Sequence, residues 1–204
     1  MEGLRVLRRY LDPEAQARLC AEVWRAVEPA GWFRPRMPRT GRPLSVRMAN
    51  LGPLGWVADE RGYRYQPHHP DTGAPWPPMP ERLIELWRAL GAPAEPECCL
   101  VNLYRPGARL GLHRDEDEET FEAPIVSISL GDSAIFRIGG TRRRDPTRRV
   151  VLESGDVVVM GGPARLLYHG IDRILPGTSD LVPGGGRLAL TLRRVRPLPG
   201  AARR

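Results

Sequence analysis

Apolar residues recur at helical spacing in two stretches of the chain. The first stretch begins with Asp12, a suitable N-cap residue, and Pro13, a proline suited to the first turn. It predicts a helix over residues 13–28. The second predicts a helix over residues 80–90, which ends at Gly91. The apolar positions are Leu19, Val23, Trp24 and Val27 in the first helix and Leu83, Ile84, Leu86, Trp87 and Leu90 in the second. Because Trp24 and Trp87 lie on these apolar faces, we expect both to pack in the core.

The second half of the chain consists of short apolar segments that are rich in β-branched residues and bounded by Gly, Pro, Asp or Ser. These segments predict seven strands with no helix between them. Their bounds are 100–104, 125–130, 134–138, 150–152, 156–160, 166–170 and 187–195. Such closely spaced strands indicate an antiparallel sandwich, jelly roll or barrel rather than a parallel sheet with helical crossovers. Residues 54–78 predict short strands and loops, and residues 34–43 predict a loop.

Composition narrows the class of protein. A chain of 204 residues and 22.8 kDa, 41% hydrophobic and 27% charged, fits one globular domain with an extension and excludes a disordered chain. All 31 basic residues are arginines, and they outnumber 24 acidic residues to give a net charge of +7. This excess predicts an anionic partner, with nucleic acid the first candidate. The absence of lysine indicates only a bias toward GC-rich codons.

The cysteines and the N-terminal residues bear on the compartment. Cys20 and the adjacent pair Cys98-Cys99 match neither a disulfide framework nor a zinc site, which favours a reducing compartment. The first ten residues carry charges throughout and have no apolar core of a signal peptide. No segment approaches the roughly 20 apolar residues of a membrane span. We therefore expect a soluble cytoplasmic protein.

Three residues form a candidate metal site. His113 and Asp115 are two residues apart, hence on one face of an extended segment, and His169 follows the strand-like residues 166–168. Two imidazoles and one carboxylate bind Fe(II) on one face and leave three coordination positions open. A His-x-Asp triplet also arises by chance, so spacing alone leaves a structural role open. The remaining pair, His68-His69, lies in a proline-bounded loop, and we expect it to be exposed.

The last predicted strand has two unlike faces. Leucines occupy one face, which must enter the core, and the other face carries Arg187, Ala189, Thr191 and Arg193. Arginines on that face lie either in solvent or in a cavity that binds anions. Two guanidinium groups on one strand suit the two carboxylates of a dicarboxylic acid. The alternative is an exposed strand face, which is common in antiparallel sheets.

Five longer motifs follow one another along the chain. They are Asn102-Leu103-Tyr104-x-Pro106-Gly107, Leu110-x-Leu112-His113-x-Asp115-x-Asp117-Glu118, Ala123-Pro124-Ile125-Val126-Ser127-Ile128-Ser129-Leu130-Gly131, Gly155-Asp156-Val157-Val158-Val159-x-Gly161-Gly162 and Tyr168-His169-Gly170-Ile171. In this order they resemble the AlkB family, whose members are Fe(II)- and 2-oxoglutarate-dependent dioxygenases that remove alkyl groups from nucleic-acid bases. The resemblance covers about residues 51–193 and is strongest to the bacterial DNA-repair branch.

The resemblance implies roles for the metal and cosubstrate residues. His113, Asp115 and His169 are the expected iron ligands. Arg193 is expected to hold the distal carboxylate of 2-oxoglutarate, and Arg187 to lie near the iron-chelating end, paired with the aspartate ligand. Further cosubstrate positions are Asn102, Tyr104 and Ser127. Two positions depart from the family pattern: Ala189 replaces an asparagine, and Met160 replaces a tryptophan.

The resemblance also implies a substrate side. Trp56 is expected to stack on the alkylated base opposite His113, Tyr63 and Arg109 to contact phosphates, and Asp117 to accept from an exocyclic amine. We expect the rest of the acidic run 115–119 to be a solvated loop. The arginine clusters within residues 142–149 either contact phosphates of duplex DNA or keep a turn soluble.

Together these features predict a mainly β protein with flanking helices and a double-stranded β-helix (jelly-roll) dioxygenase core. The expected division is a nucleotide-recognition extension at 1–98, the core at 99–196 and a disordered tail at 197–204. The expected reaction uses Fe(II), 2-oxoglutarate and O₂ to demethylate 1-methyladenine and 3-methylcytosine, releasing formaldehyde and succinate. We expect a monomer that acts on single-stranded DNA, with RNA as an alternative substrate. The competing hypotheses are a hydroxylase of a protein or small molecule and a non-catalytic nucleic-acid-binding relative.

Overall fold

A computed structural model of the chain describes residues 2–198. Within these residues it contains twelve strands, two α-helices and one 3₁₀ turn at Gly162–Ala164. The helices are α1 (Pro13–Ala30) and α2 (Glu81–Ala89). The strands are β1 (Leu4–Leu7), β2 (Arg47–Leu51), β3 (Gly55–Asp59), β4 (Gly62–Gln66), β5 (Cys98–Tyr104), β6 (Leu110–His113), β7 (Ile125–Gly131), β8 (Ser133–Ile138), β9 (Arg148–Leu152), β10 (Val157–Met160), β11 (His169–Leu175) and β12 (Arg187–Arg193).

Two antiparallel sheets form the core. One has the order β1-β10-β7-β12-β5-β2 and the other the order β6-β11-β8-β9, while β3 and β4 form a separate hairpin. Side chains from both sheets make one apolar cluster, which includes Tyr104 and Val158 from the first sheet and Phe136 and Ile171 from the second. Non-sequential neighbours in both sheets are typical of a jelly roll. The predicted fold class, mainly β with flanking helices, is confirmed.

The helices cover the outer face of the six-stranded sheet. Leu19 and Val23 of α1 and Leu83 of α2 belong to a second apolar cluster that includes the leucines of β12. Since this sheet is buried on both faces, every residue of β5 and β12 is buried. The arginine face of β12 therefore lies between the two sheets and not in solvent. Trp87 is fully buried as predicted, whereas Trp24 is only partly buried and packs against Trp32 at 5.7 Å between ring centroids.

Several predicted boundaries were wrong. The segment 166–170 is not a strand: the chain leaves the 3₁₀ turn and enters β11 only at His169, so this histidine begins a strand instead of ending one. The prediction omitted β1, β2 and β6 as strands. The strand β1 is short, and its partner β10 lies far away in the sequence, since Leu4 pairs with Met160. Helix α1 extends two residues beyond its predicted end, and α2 is one residue shorter at each end.

The loop around the histidine pair also differs from the prediction. His68 is exposed, but His69 is buried, with its ring between Phe33 and Trp76. Its Nδ1 accepts hydrogen bonds from the main-chain N–H groups of Asp71 and Thr72 at 3.1 and 3.3 Å. The His69 ring thus stabilises a tight turn. The proline-rich sequence around it does not reveal this role.

The N-terminal part of the chain is integrated with the core. Strands β1 and β2 form the two edges of the six-stranded sheet, and the β3–β4 hairpin contacts β2 and β5. The division into 1–98 and 99–196 stays a proposal. The predicted tail lies, from residue 199 onward, outside the described residues. Neither described helix combines the length and hydrophobicity that a membrane crossing requires.

Candidate active site

Three side chains meet at the mouth of the jelly roll. His113 ends β6 and His169 begins β11, and the two face each other in the antiparallel register of these strands. Asp115 follows two residues after β6 and places Oδ1 3.6 Å from His113 Nε2 and Oδ2 3.8 Å from His169 Nε2. The candidate ligand atoms all lie within 4.8 Å of one another. The triad expected from sequence is therefore assembled in space.

The outer ring nitrogens orient both histidines. The Nδ1 of His113 lies 2.9 Å from the carbonyl oxygen of Gly111, and that of His169 lies 3.0 Å from the carbonyl oxygen of Leu167. Donation from Nδ1–H to these carbonyls leaves the Nε2 lone pairs directed at the centre. Burial, and then the charge of His113, lower the pKa of His169 to about 4, so its imidazole is neutral at pH 7. The donor set fits a divalent iron ion with open coordination positions.

Arg193 is the partner of the aspartate. Its Nη2 donates to Asp115 Oδ2 at 2.7 Å. Burial opposes ionisation of Asp115, but Arg193 and the two histidines outweigh it and hold the pKa of this carboxyl well below its ordinary value. The expectation that Arg187 pairs with the aspartate ligand was wrong. Strand alternation places both arginines on one face of β12, but six residues of extended strand separate them by roughly 20 Å. Only the tertiary structure shows which end of the strand lies beside Asp115.

Arg187 lies deep between the sheets. Its side chain is almost fully buried, its Nη2 donates to Ser129 Oγ at 2.9 Å, and its guanidinium covers the Tyr104 ring at 5.4 Å. Among the described residues, Nε and Nη1 of Arg187 and Oδ1 of Asn102 have no hydrogen-bond partner. Burial lowers the pKa of Arg187. A buried guanidinium with unused donors requires an anion, as a dicarboxylate would supply.

The cavity between the sheets collects the cosubstrate residues expected from sequence. Its wall is formed by the triad together with Asn102, Tyr104, Ser127, Arg187 and Arg193. Ala189 and Met160, the two departures from the family pattern, lie in the same wall. Ala189 is directly opposite Asn102 on β5 and Ser129 on β7. These two neighbours keep polar groups beside the position where the asparagine is lost.

A second cleft leads from the triad to the surface. His113 and Asp115 line both the cavity and this cleft, so the metal site lies where the two meet. Trp56, Tyr63 and Asp117 line the cleft. The indole Nε1 of Trp56 donates to Asp117 Oδ2 at 2.8 Å, and its ring is stacked against Tyr63 with centroids 5.7 Å apart. The cleft thus presents a flat aromatic surface and a carboxylate beside the triad.

Comparison with known proteins gives a consistent result. A family model for the 2OG-Fe(II) oxygenase superfamily matches residues 3–193. The "Alpha-ketoglutarate-dependent dioxygenase AlkB homolog" of Caulobacter vibrioides is 56% identical over 195 residues, which span 95% of this chain and 88% of the relative. The "Alpha-ketoglutarate-dependent dioxygenase AlkB" of Escherichia coli is 49% identical over 154 residues, 73% of this chain and 71% of the relative. The chain belongs to the AlkB family.

The fold of this chain also matches the solved structure of OsALKBH1. It superposes with a TM-score of 0.79 and 32% identity, covering 95% of this chain and 99% of that chain. Membership of the AlkB family confirms the predicted enzyme class, an Fe(II)- and 2-oxoglutarate-dependent dioxygenase that uses O₂. In this chain, the residues that suit the iron are His113, Asp115 and His169.

Arg109 does not line the cleft that contains Trp56 and Asp117. It is exposed, and the side chain is absent from the cleft lining among the described residues. Its main chain is fixed instead, since its N–H donates to Ser45 Oγ at 3.0 Å and its carbonyl accepts from the same hydroxyl at 2.9 Å. In the cluster at 142–149, Arg143 does line the cleft, and its Nη1 donates to the carbonyl oxygen of Leu112 at 2.9 Å.

Glu118 is a residue that the sequence reasoning missed. The expectation of a solvated loop beyond Asp115 and Asp117 was wrong here, because the Glu118 side chain is only 1% exposed. It lies 3.2 Å from guanidinium nitrogens of both Arg165 and Arg193. No local signal distinguishes it from the neighbouring acids, since its partners lie 47 and 75 residues further along the chain.

Proposed function

We propose that this protein removes methyl groups from ring nitrogens of nucleic-acid bases, of the 1-methyladenine and 3-methylcytosine type. The reaction couples this demethylation to decarboxylation of 2-oxoglutarate and releases formaldehyde and succinate. The observation that carries the proposal is the cleft of Trp56, Tyr63 and Asp117 that opens on the triad. An aromatic stack next to an acceptor suits a flat, amine-bearing, cationic base.

The iron and cosubstrate site follows from the residues of the cavity. His113 and His169 would hold Fe(II) through Nε2 and Asp115 through its carboxylate. When bound, iron would activate O₂ with two electrons from the oxidative decarboxylation of 2-oxoglutarate, and so supply the oxidant that hydroxylates the methyl carbon. The sequence analysis assigned the distal carboxylate of 2-oxoglutarate to Arg193, but Arg193 is paired with Asp115. We propose instead that Arg187, with its unused donors, binds the carboxylate remote from iron, and that Arg193 keeps Asp115 ionised and oriented. The apolar part of the cavity wall, which includes Phe136, would limit the access of water to this space.

The substrate base would lie between Trp56 and His113. Stacking on an aromatic ring contributes roughly 1–3 kcal/mol per base. Asp117 uses Oδ2 to accept from Trp56 Nε1, which leaves Oδ1 free for an exocyclic amine. The carboxylate charge also favours a methylated, cationic base over the neutral product. The hydroxylated methyl group would then lose its hydroxyl proton to water, the C–N bond would break with its electron pair returning to the ring nitrogen, and formaldehyde would leave. This step requires no acid–base pair from the protein.

The remaining expectations belong to the same proposal. Single-stranded DNA is the favoured substrate because a base that is already unpaired costs less to flip, and RNA is the alternative. Tyr63 and Arg109, both exposed, would contact backbone phosphates beside the cleft. We propose that the enzyme acts as a monomer in the cytoplasm. The extension 1–98 supplies Trp56 and Tyr63, and the core 99–196 supplies the iron and cosubstrate site.

The proposal is tested with a panel of methylated DNA and RNA oligonucleotides incubated with Fe(II), 2-oxoglutarate and ascorbate. Mass spectrometry should show loss of the methyl group, with formaldehyde and succinate formed in equal amounts. His113→Ala and Asp115→Ala should abolish both products. Trp56→Ala should weaken oligonucleotide binding, whereas a hydroxylase of another substrate would be unaffected. Succinate formation without repair of any oligonucleotide contradicts the proposal.

A further inference from the structure

A buried chain of contacts joins the β3–β4 hairpin to the metal ligand Asp115. On β4, the Tyr65 hydroxyl donates to Glu118 Oε1 at 2.7 Å. The same carboxylate oxygen lies 3.2 Å from Arg193 Nε, and Arg193 Nη2 donates to Asp115 Oδ2 at 2.7 Å. The side chains of Glu118 and Arg193 are 1% and 6% exposed. The hairpin that carries Trp56 is therefore connected to the ligand through two buried side chains.

Glu118 also contacts a second arginine that holds the same aspartate. Arg165 Nη2 lies 3.2 Å from Glu118 Oε2, and Arg165 Nη1 donates to the main-chain carbonyl of Asp115 at 2.9 Å. A further bond from Arg165 Nε to the carbonyl of Ala123, at 3.1 Å, fixes the guanidinium. One arginine thus holds the carboxylate of Asp115 and the other holds its backbone, and Glu118 lies between them.

The charges of this group balance only when Glu118 is present. Arg165 and Arg193 bring two positive charges into the protein, and Asp115 and Glu118 bring two negative ones. Removing one member of a buried ionic network leaves an uncompensated charge, which is strongly unfavourable. Without Glu118, both arginines would compete for Asp115 or move toward solvent. Either movement changes the position of the metal ligand.

We propose that Glu118 is a positioning residue that holds Arg193 and Arg165 against Asp115, and that its bond to Tyr65 couples docking of the β3–β4 hairpin to the geometry of the metal site. Glu118 is not one of the three candidate metal ligands, and it acts on them through the two arginines. The inference depends on the triad as a metal site and is independent of which base or other substrate is oxidised.

The test measures Co(II) binding to the metal-free protein in the absence of 2-oxoglutarate, by the ligand-field absorption of the ion. Glu118→Gln keeps the size of the side chain but removes its charge. We expect it to weaken Co(II) binding about 10- to 100-fold, as for other residues that orient metal ligands, and to alter the absorption spectrum. Tyr65→Phe removes one hydroxyl and should weaken binding by a smaller factor. In the double variant, the Tyr65→Phe effect should largely disappear, because both act along one path.

Glu116→Gln provides the matched control. Glu116 is an exposed acid next to Asp115 whose ion pair is with Arg114, so the variant removes the same charge near the centre without touching the network. It should bind Co(II) as the unaltered protein does. If Glu118→Gln unfolds, Tyr65→Phe alone decides the matter. Unchanged Co(II) affinity and spectrum in a folded Glu118→Gln or Tyr65→Phe variant would overturn the inference. Co(II) binding that responds as expected in a protein that repairs no oligonucleotide would refute only the proposed function.

Discussion

Asn50 holds the main chain of Trp56 through both its N–H and its carbonyl group. Its Nδ2 donates to the carbonyl of Trp56 at 3.1 Å, and its Oδ1 accepts from the Trp56 N–H at 3.0 Å. Asn50 is fully buried on β2, within the six-stranded sheet. The indole is fixed at its other end by the bond to Asp117. The proposed stacking surface is thereby set in place before any base arrives, which lowers the entropic cost of binding.

The first prediction concerns this asparagine. Asn50→Ala removes both hydrogen bonds to the Trp56 peptide, each contributing about 0.5–1.5 kcal/mol. We expect binding of a methylated oligonucleotide to weaken roughly 5- to 30-fold, because the ring loses its fixed position. Fluorescence anisotropy with a labelled strand measures the change. In a Trp56→Ala background, the Asn50→Ala effect should vanish; independent, additive losses would show that Asn50 does not act through Trp56.

The second prediction separates cosubstrate binding from substrate binding. Arg187→Lys keeps the positive charge but loses the planar guanidinium that covers Tyr104 and bonds Ser129. We expect the KM for 2-oxoglutarate to rise roughly 10- to 100-fold, as for loss of a charged hydrogen bond of about 1.5–3 kcal/mol. Oligonucleotide affinity should not change. Arg173→Lys, an exposed position on β11, is the control; an unchanged KM in Arg187→Lys refutes the assigned role.

The third prediction concerns the loop that precedes β12. Asp132 is buried, and its carboxylate accepts from the N–H groups of Thr178, Ser179 and Gly186 at 3.0, 3.1 and 3.1 Å. Asp132→Ala leaves these donors unpaired and should lower the free energy of unfolding by about 2–3 kcal/mol. Urea denaturation measures the loss. Asp180→Ala, an exposed acid in the same loop, should be nearly neutral; equal effects would argue against the carboxylate's role.

The active-site residues that sequence predicts well are those whose position follows from local periodicity. On β12, the leucines pack under the helices, so alternation places Arg187 and Arg193 together on the opposite face, which the second sheet covers to form the cavity. His113 and Asp115 are two residues apart, and the motif order identifies His169 as the third member. These features need only strand geometry and a family pattern, and the five residues line one cavity.

Other features depend on contacts between distant parts of the chain. Alternation could not decide whether Arg187 or Arg193 meets Asp115, since that depends on which end of β12 lies next to the loop after β6. Glu118 and His69 look like surface residues because their partners come from other elements. The strand at β11 was misplaced because an apolar run before His169 forms a turn against the core instead of pairing with a neighbouring strand.

The fourth prediction uses the titration of His169. Burial and the charge of His113 lower its pKa from 6.5 to about 4. Below about pH 6.5 the unfolded chain binds a proton at this residue, while the folded protein does not until about pH 4. The folded state therefore loses stability as the pH falls through this window, by up to about 3 kcal/mol. Metal-free protein, studied by urea denaturation between pH 7 and 4, should show this loss.

The matched variants decide whether His169 is the source of that loss. His169→Asn removes the titrating group, so its free energy of unfolding should fall less steeply with acidification than that of the unaltered protein. His68→Asn, at an exposed histidine, should leave the slope unchanged. Asp115 has a pKa well below its ordinary value and so contributes only below this window. If the free energy of unfolding of His169→Asn falls as steeply with acidification as that of the unaltered protein, the effect belongs to another group. That result would contradict the prediction that His169 is buried and neutral. Saturating Co(II), which binds the neutral imidazole, should steepen the pH dependence of the unaltered protein because protons then compete with the metal.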